Sequence, residues 1–377
     1  MSMKHWARGG AAAARRAAAA GALAVPQLSG EECLARLRAH DVLGGKVLAM
    51  FSSAFRSGDE IGAITTDPEA FVIQLDDHMV HRGHAVFDTA NVANGRVYGL
   101  DFHLDRLRRS ADQARIDEAQ SDAERKWSKE TLRQVILQLV AASGKRDGVF
   151  LRYWLTAGTG SLGVSPRGCV DGPQFYAVVE DYDPSSKAEM RGVSEVTIPQ
   201  ALVPLKPPLL ATAKTTNYLL NALTTMAAEE RGGHLGINLH ADGVSVAEQS
   251  VANVAIVTAA GELKVPPFDR ILHGTTVSRA MELVSAALDE GLAHGGGAPP
   301  SELQSVAVCD VAVEDLLAAR EIISFGGGGI VPIIEIDGHT VGNGEVGPVY
   351  TFLQQQLVGD VAAGDGFHDE VPYHMYE

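Results

Sequence analysis

Four groups of residues have the types and the spacing to do chemistry. Lys214 stands among Ala211, Thr212, Ala213, Thr215 and Thr216, with no acidic neighbour in the sequence, just ahead of a helix expected to start near Asn217. A lysine in apolar surroundings gives up its proton more easily, its pKa falling from about 10.4 toward about 7 to 8, and it can then act as nucleophile and base. On an open surface the same side chain is only a solvated charge. Arg106 follows His103 on one face of an expected helix, where a guanidinium can grip an anion or point to solvent. Gly274, Thr275 and Thr276 precede a helix expected from Val277, so backbone N–H groups and hydroxyls gather at the positive end of a helix dipole, a setting that favours an anion. Glu248, among Val and Ala residues, reads by itself as a cap or a solvated carboxylate.

Three further patterns are weaker. Gly158, Gly160 and Gly163 spell GxGxxG after an expected strand, but Pro166 stops the helix whose N-terminus would hold a pyrophosphate. His78, His81 and His84 lie close together, yet Gly83 interrupts any helix and no carboxylate or cysteine accompanies them, so no metal is expected. The run Gly326 to Gly329, between a strand-like Ile322 to Phe325 and Pro332, suits a tight turn and offers only backbone donors.

The elements that must position these residues alternate between strand and helix. Val47 to Ser52 and Ala70 to Leu75 read as short strands, and Val86 to Asn91 with Arg96 to Gly99 flank the turn dipeptide Asn94-Gly95, which predicts a hairpin. Leu104, Leu107 and Ala111 share one face of a helix from Asp101, and a second helix is expected over Ser128 to Ala142. Strands follow at Val149 to Thr156 and Gln174 to Glu180. Beyond an acidic, Pro- and Ser-containing linker come strands near Val193 and Ile237, a helix from Asn217 to Arg231, a strand over Val251 to Thr258, a helix from Val277 to Gly291, a Gly- and Pro-rich loop from His294 to Pro300, and a closing helix near Val349 to Leu357. The chain is long enough, at 377 residues, for two domains of ordinary size.

Composition narrows the function. The formal charge of −16 argues against nucleic-acid binding, which depends on clustered Lys and Arg. Three widely spaced cysteines supply neither a disulfide framework nor a zinc site. No apolar run approaches the roughly 18 residues a membrane span needs, and a soluble protein is expected. Residues 1–30 hold Lys4, Arg8, Arg15 and Arg16, many alanines and no acid, the composition of an organellar transit peptide, although serine is scarce and a plain extension has the same look. The remainder carries 27 basic against 47 acidic side chains, a net of −20.

The segments HMVHRGHAVFDT (His78 to Thr89), LDFHLDRLRRSA (ending at Ala111), AKTTNYLLNAL around Lys214, VAEQSVANVAIV around Glu248, LHGTTVSRAMEL around Gly274 and GHTVGNGEVGPVY near the end resemble, in the same order, those of class IV aminotransferases. These are the fold-type IV pyridoxal-phosphate enzymes, which include branched-chain aminotransferases, D-amino-acid aminotransferases and aminodeoxychorismate lyases. The likeness covers about residues 46 to 358 and is closest to plant-type D-amino-acid aminotransferases. It implies an α+β (mixed α/β) fold in two domains with the cofactor at their interface, and with the leader and linker read from composition the chain divides into a leader over 1–30, a small domain over 46–181, a linker over 182–187, a larger cofactor-binding domain over 188–358 and a tail over 359–377. It also implies a homodimer, and a plastid or mitochondrial location if the leader is a targeting signal.

By the same resemblance Lys214 bonds to pyridoxal 5'-phosphate and later carries the substrate's Cα proton, while Glu248 faces the ring nitrogen. Arg106 and the Gly274, Thr275, Thr276 segment hold the phosphate. Tyr218 resembles the tyrosine that some branched-chain enzymes place against the phenolic oxygen, offset by one residue from the lysine. Phe87, Thr89, Arg152 and Tyr153 lie in the region that contacts substrate, and Arg167 is near it. The family pattern continues Glu-Gly-Ser where this chain has Glu248, Gln249 and Ser250, so altered loop geometry is expected there. The implied reaction is transamination from an amino acid, a D-amino acid such as D-alanine foremost, to a 2-oxo acid. Thr89 in FDT resembles the FTT of the lyase, which keeps formation of 4-aminobenzoate and pyruvate as an alternative. Branched-chain L-amino-acid transamination is less favoured, since that group tends to have FEG followed by an arginine, and a non-enzymatic cofactor carrier would have no use for an activated lysine.

Overall fold

The computed structural model describes residues 25–39, 45–182, 191–290, 297–364 and 366–376. Most of the leader, most of the linker and part of the loop expected at 294–300 fall outside these residues. In the N-terminal half, strands β1 (Val47–Ser52), β2 (Ala63–Thr65), β3 (Ala85–Ala93), β4 (Arg96–Tyr98), β5 (Val149–Thr156) and β6 (Gln174–Asp181) build an antiparallel sheet. The C-terminal half contains β7 (Val193–Glu195), β8 (Thr197–Ile198), β9 (Ile237–Leu239), β10 (Val246–Gln249), β11 (Asn253–Val257), β12 (Glu262–Val265), β13 (Ser305–Val308), β14 (Glu321–Gly326), β15 (Gly329–Ile336) and β16 (His339–Thr340). Of these, β8 to β10 form a small sheet and the others a larger one in the order β13-β12-β11-β14-β15-β16, with β7 also pairing with β15.

Local chemistry explains the elements near the site. Asn94 and Gly95 take φ of 53° and 73°, the left-handed pair that a two-residue hairpin turn requires, and so join β3 to β4. Leu100, Leu104, Leu107 and Ala111 fall on one stripe of the helix Leu100–Gln113 and are fully buried against the first sheet. Each such leucine contributes about 1.5 to 3 kcal/mol of hydrophobic stabilisation. Ser128 caps the helix Lys129–Ser143, its hydroxyl accepting from the N–H of Thr131, and Gly144 ends it in the left-handed region. A second core lies between the larger C-terminal sheet and the helices Thr275–Glu290 and Pro348–Ala363, around Val277, Leu283, Phe325 and Leu353.

Two expectations fail. Residues 70 to 75 form no strand: Asp67 caps a short 3-10 turn over Pro68–Ala70, and Val72, Ile73 and Leu75 are exposed rather than alternating against a core. Nor are residues 359–377 a free tail. The last helix runs on to Ala363, and the strand β17 (His368–Glu370) then pairs antiparallel with β4, while Val371 and Tyr373 join the N-terminal core. The C-terminal end of the chain thus closes one edge of the N-terminal sheet, which has the order β17-β4-β3-β5-β6-β1-β2.

Candidate active site

A cavity of about 380 Å³, within the range of small-molecule sites, is lined by residues of both halves, among them Phe87, Thr89, Arg106, Arg152, Lys214, Tyr218, Glu248, Gly274, Thr275 and Thr276. The structure therefore brings together every residue singled out for cofactor binding, with three of the four proposed to meet substrate. The exception is Tyr153. Adjacent residues of a strand point to opposite faces of a sheet, and β3 and β5 pair in the register Phe87 with Trp154, Asp88 with Tyr153 and Thr89 with Arg152. Phe87, Thr89 and Arg152 consequently face the cavity, whereas Tyr153 is wholly buried on the core side. Arg152 and Tyr153 could never have shared a face. Arg167 is exposed in a short turn over Pro166–Gly168 and does not line the cavity.

Lys214 is held by backbone on both sides. Its carbonyl accepts from the N–H of Phe87 at 3.0 Å, its own N–H donates to the Ser110 hydroxyl at 3.0 Å, and the N–H of Thr216 donates to the carbonyl of Ala85. The segment thus runs along the free end of β3 and aims Nζ into the cavity, 4.7 Å from the centre of the Phe87 ring and 3.4 Å from the Tyr218 hydroxyl. Burial, and then the Arg106 guanidinium, press the ammonium down to about 8, against the opposing charges of Asp88 and Glu248. Burial pushes the Tyr218 phenol up, so its hydroxyl keeps its proton near neutral pH.

Arg106 projects from the helix Leu100–Gln113. Its Nε and Nη2 donate to the two carboxylate oxygens of Asp88 at 2.8 and 2.6 Å, leaving Nη1, which reaches only a 3.4 Å contact with the carbonyl of His273. Asp88 is fully buried, and Arg106 together with His103 holds it well below the usual carboxylate range despite that burial. The helix Thr275–Glu290 begins at Thr275, two residues earlier than expected, so Thr275 and Thr276 occupy its first turn, where N–H groups have no intrahelical acceptor. The Thr276 hydroxyl donates to the carbonyl of Gly326 at 3.0 Å. Gly326 to Gly328 form the cavity wall at the turn between β14 and β15, and Asn91 donates to the carbonyl of Gly327.

Glu248 enters from β10. One carboxylate oxygen accepts from the N–H of Leu272 at 3.1 Å and lies 3.5 Å from Asn253 Nδ2; the other lies 3.1 Å from the ammonium of Lys206. The departure at Gln249 does not dislodge it. Gln249 is buried, and its Nε2 donates to Glu195 at 2.6 Å. Elsewhere Pro166 begins a short 3-10 turn and no helix follows the GxGxxG glycines. His78 and His84 face one another with 3.2 Å between their Nδ1 atoms, and among the described residues no group of His, Cys, Asp and Glu is arranged to hold a metal ion.

The family model for amino-transferase class IV matches residues 85–336, a span that contains every cavity residue named above. A D-amino-acid transaminase, chloroplastic, of Arabidopsis thaliana is 41% identical over 343 residues, covering 90% of this chain and 83% of that protein. The chain belongs to the class IV aminotransferase family. It is accordingly a pyridoxal-phosphate-dependent enzyme acting on amino acids and oxo acids. A bifunctional aminodeoxychorismate lyase / D-amino acid transaminase of Mycobacterium tuberculosis is 28% identical over 235 residues, covering 57% of this chain and 73% of its own. The solved structure of the branched-chain amino acid aminotransferase from Escherichia coli shares the fold at a TM-score of 0.68 and 21% identity, covering 87% of this chain and 100% of that one. Lys206, Asn221, Asn253, Phe150 and the carboxylate of Asp88 also belong to the aminotransferase's cavity or its support, and the sequence reading missed them. Of these, Phe150 was recoverable: it lies on the same face of β5 as Arg152.

Proposed function

We propose that this class IV aminotransferase takes its amino group from a D-amino acid of the D-alanine kind and passes it to a 2-oxo acid such as 2-oxoglutarate or pyruvate. The observation that carries the reading is the single cavity in which Lys214, with its ammonium near 8, meets Glu248 and a helix N-terminus, together with the 41% identity to a transaminase of that name. The donor set fits pyridoxal 5'-phosphate. A buried lysine that is easily neutralised suits the aldehyde, a held carboxylate suits the ring nitrogen, and Nη1 of Arg106 with the first-turn N–H groups of Thr275 and Thr276 suits the phosphate. Tyr218 stands by the lysine with a protonated hydroxyl. When bound, the cofactor supplies an electron sink for the negative charge left at Cα.

The chain's own residues do the remainder. Lys214, displaced by the incoming amino group, takes the Cα proton on Nζ and delivers it back on the other side of the exchange. Glu248 presents a carboxylate that favours a protonated ring nitrogen, and Phe87 places an apolar ring beside the amine of Lys214. We assign the two domains to residues 46–181 and 188–358, joined through 182–187, with the cofactor between them. A homodimer, a cleaved leader and residence in a plastid or mitochondrion complete the proposal, with a cytoplasmic location if the leader is not a signal. Thr89 on the cavity wall and the bifunctional relative favour one second reading, elimination of aminodeoxychorismate to 4-aminobenzoate and pyruvate.

The deciding experiment incubates the purified enzyme with D-alanine, L-leucine or aminodeoxychorismate. Pyruvate from D-alanine in the presence of 2-oxoglutarate is expected to dominate. Aminobenzoate formation without D-alanine turnover would replace the first reading by the second, and turnover of L-leucine alone would overturn both.

Two further outcomes are expected. Loading of the cofactor-free protein, followed as the rise of cofactor absorbance, should quicken as pH increases through about 8, where Lys214 becomes neutral, and level off above it. A rate still climbing toward pH 10 would mean an unperturbed lysine. Replacing Gly274 with alanine would drive a methyl carbon into the side-chain oxygen of Asn253, which is buried and holds Leu272 and Glu248. Cofactor affinity should fall about tenfold, the equivalent of one lost hydrogen bond, as read by equilibrium titration.

A further inference from the structure

Lys206 lies outside every motif that identifies the family, yet its side chain is largely buried and its ammonium sits 3.1 Å from Glu248 Oε1 and 5.9 Å from the centre of the Tyr218 ring. It belongs to the wall of the main cavity and also to that of a small neighbouring pocket lined by Leu205, Asn221, Asn238 and Arg270. It lies in the irregular stretch Pro204-Leu205-Lys206-Pro207, whose last proline leads into the short helix Pro208–Thr212, just ahead of Lys214. The Glu248 carboxylate thus has its two oxygens held from different directions, one by the N–H of Leu272 with Asn253 beside it and the other by Lys206 alone. A carboxylate anchored through one oxygen can rotate, whereas one anchored through both keeps a single plane.

We propose that Lys206 is a positioning residue of the active site, its ammonium fixing the outer oxygen of Glu248 so that the carboxylate faces the cavity in one charged orientation. This rests on the assignment of Glu248 to the cofactor ring. Lys206 also adds a positive charge to the surroundings of Lys214, where Arg106 acts in the same sense and Asp88 and Glu248 in the opposite one. Removing Lys206 therefore has two separable consequences, a loosened Glu248 and a Lys214 that holds its proton to higher pH.

The test uses the full-length enzyme and the variants Lys206→Met, which keeps the length of the side chain without charge, and Lys206→Arg, which keeps the charge. In the cofactor-free protein, acylation of Lys214 against pH, followed by peptide mass spectrometry, should show a midpoint moved upward in Lys206→Met and restored toward the parent in Lys206→Arg. In the loaded enzyme, Lys206→Met should lose about 10- to 100-fold in kcat with much less change in KM, as expected where an interaction acts mainly in the transition state. Measured on the high-pH plateau, where protonation of Lys214 no longer limits the rate, the same replacement in a Glu248→Gln background should change kcat by less than about twofold, because its partner is already gone. A parent-like midpoint and kcat in Lys206→Met would overturn the proposal, as would a full additional loss in the Glu248→Gln background. Failure of the parent chain to bind pyridoxal phosphate would instead overturn the assignment on which it rests.

Discussion

Lys214→Ala is expected to lower turnover by about four orders of magnitude or more, the scale found when a covalent nucleophile that is also the proton carrier is removed, and to abolish the cofactor absorbance that depends on attachment to lysine. The structure gives three reasons for so large an effect. Nζ is buried, it stands 3.4 Å from the Tyr218 hydroxyl, and its ammonium is pressed to about 8, so roughly a fifth of the population is neutral near pH 7.4, against about a thousandth for an ordinary lysine. Lys206, the other ammonium on the cavity wall, is paired with Glu248. Cofactor affinity should fall much less than turnover, since Arg106 and the start of the helix Thr275–Glu290 remain to hold the phosphate. Absorbance titration alongside steady-state assay separates the two quantities, and a variant retaining a tenth of the parent rate would contradict the role given to Lys214.

The second large effect concerns stability. Asp88→Ala should destabilise the protein by about 3 to 5 kcal/mol, because it leaves the guanidinium of Arg106 buried without its carboxylate. Arg106 would also lose the two bonds that fix it near the cavity, so cofactor binding should weaken together with the fold. The pH dependence follows from the direction of the Asp88 shift. Its carboxyl is held well below the ordinary value when folded, so the stabilisation is complete above the unfolded-state value near 4 and drains away as pH drops below it toward the folded value. Urea midpoints of parent and variant should therefore lie far apart at pH 7 and converge as the solution is acidified below about pH 4. A constant gap across that range would show that Asp88 is not the group responsible.

What could be read from the sequence, and what could not, follows the range of the interactions. The hairpin at Asn94-Gly95 and the helix carrying Arg106 rest on local signals, left-handed turn residues and a repeating apolar stripe, and both appear where expected. Lys214, Arg106, Glu248 and the Gly274 segment were found through motif order, and the cavity gathers them. Tyr153 was misplaced although the two-residue alternation of a strand already separated it from Arg152. Val72, Ile73 and Leu75 gave the pattern of a strand, but the turn capped by Asp67 leaves them no neighbouring strand to pair with. Lys206 was invisible for a different reason. It lies eight residues before Lys214 and meets Glu248 only through tertiary folding, just as β17 finds β4 across most of the chain.

Reduction of the loaded enzyme with borohydride, followed by peptide mapping, tests the central claim most directly. The pyridoxyl mass should be found on the peptide containing Lys214 and on no other. The same mass on Lys206 or any other lysine, or no trapped cofactor at all, would contradict the assignment of Lys214 as the lysine that bonds to the cofactor.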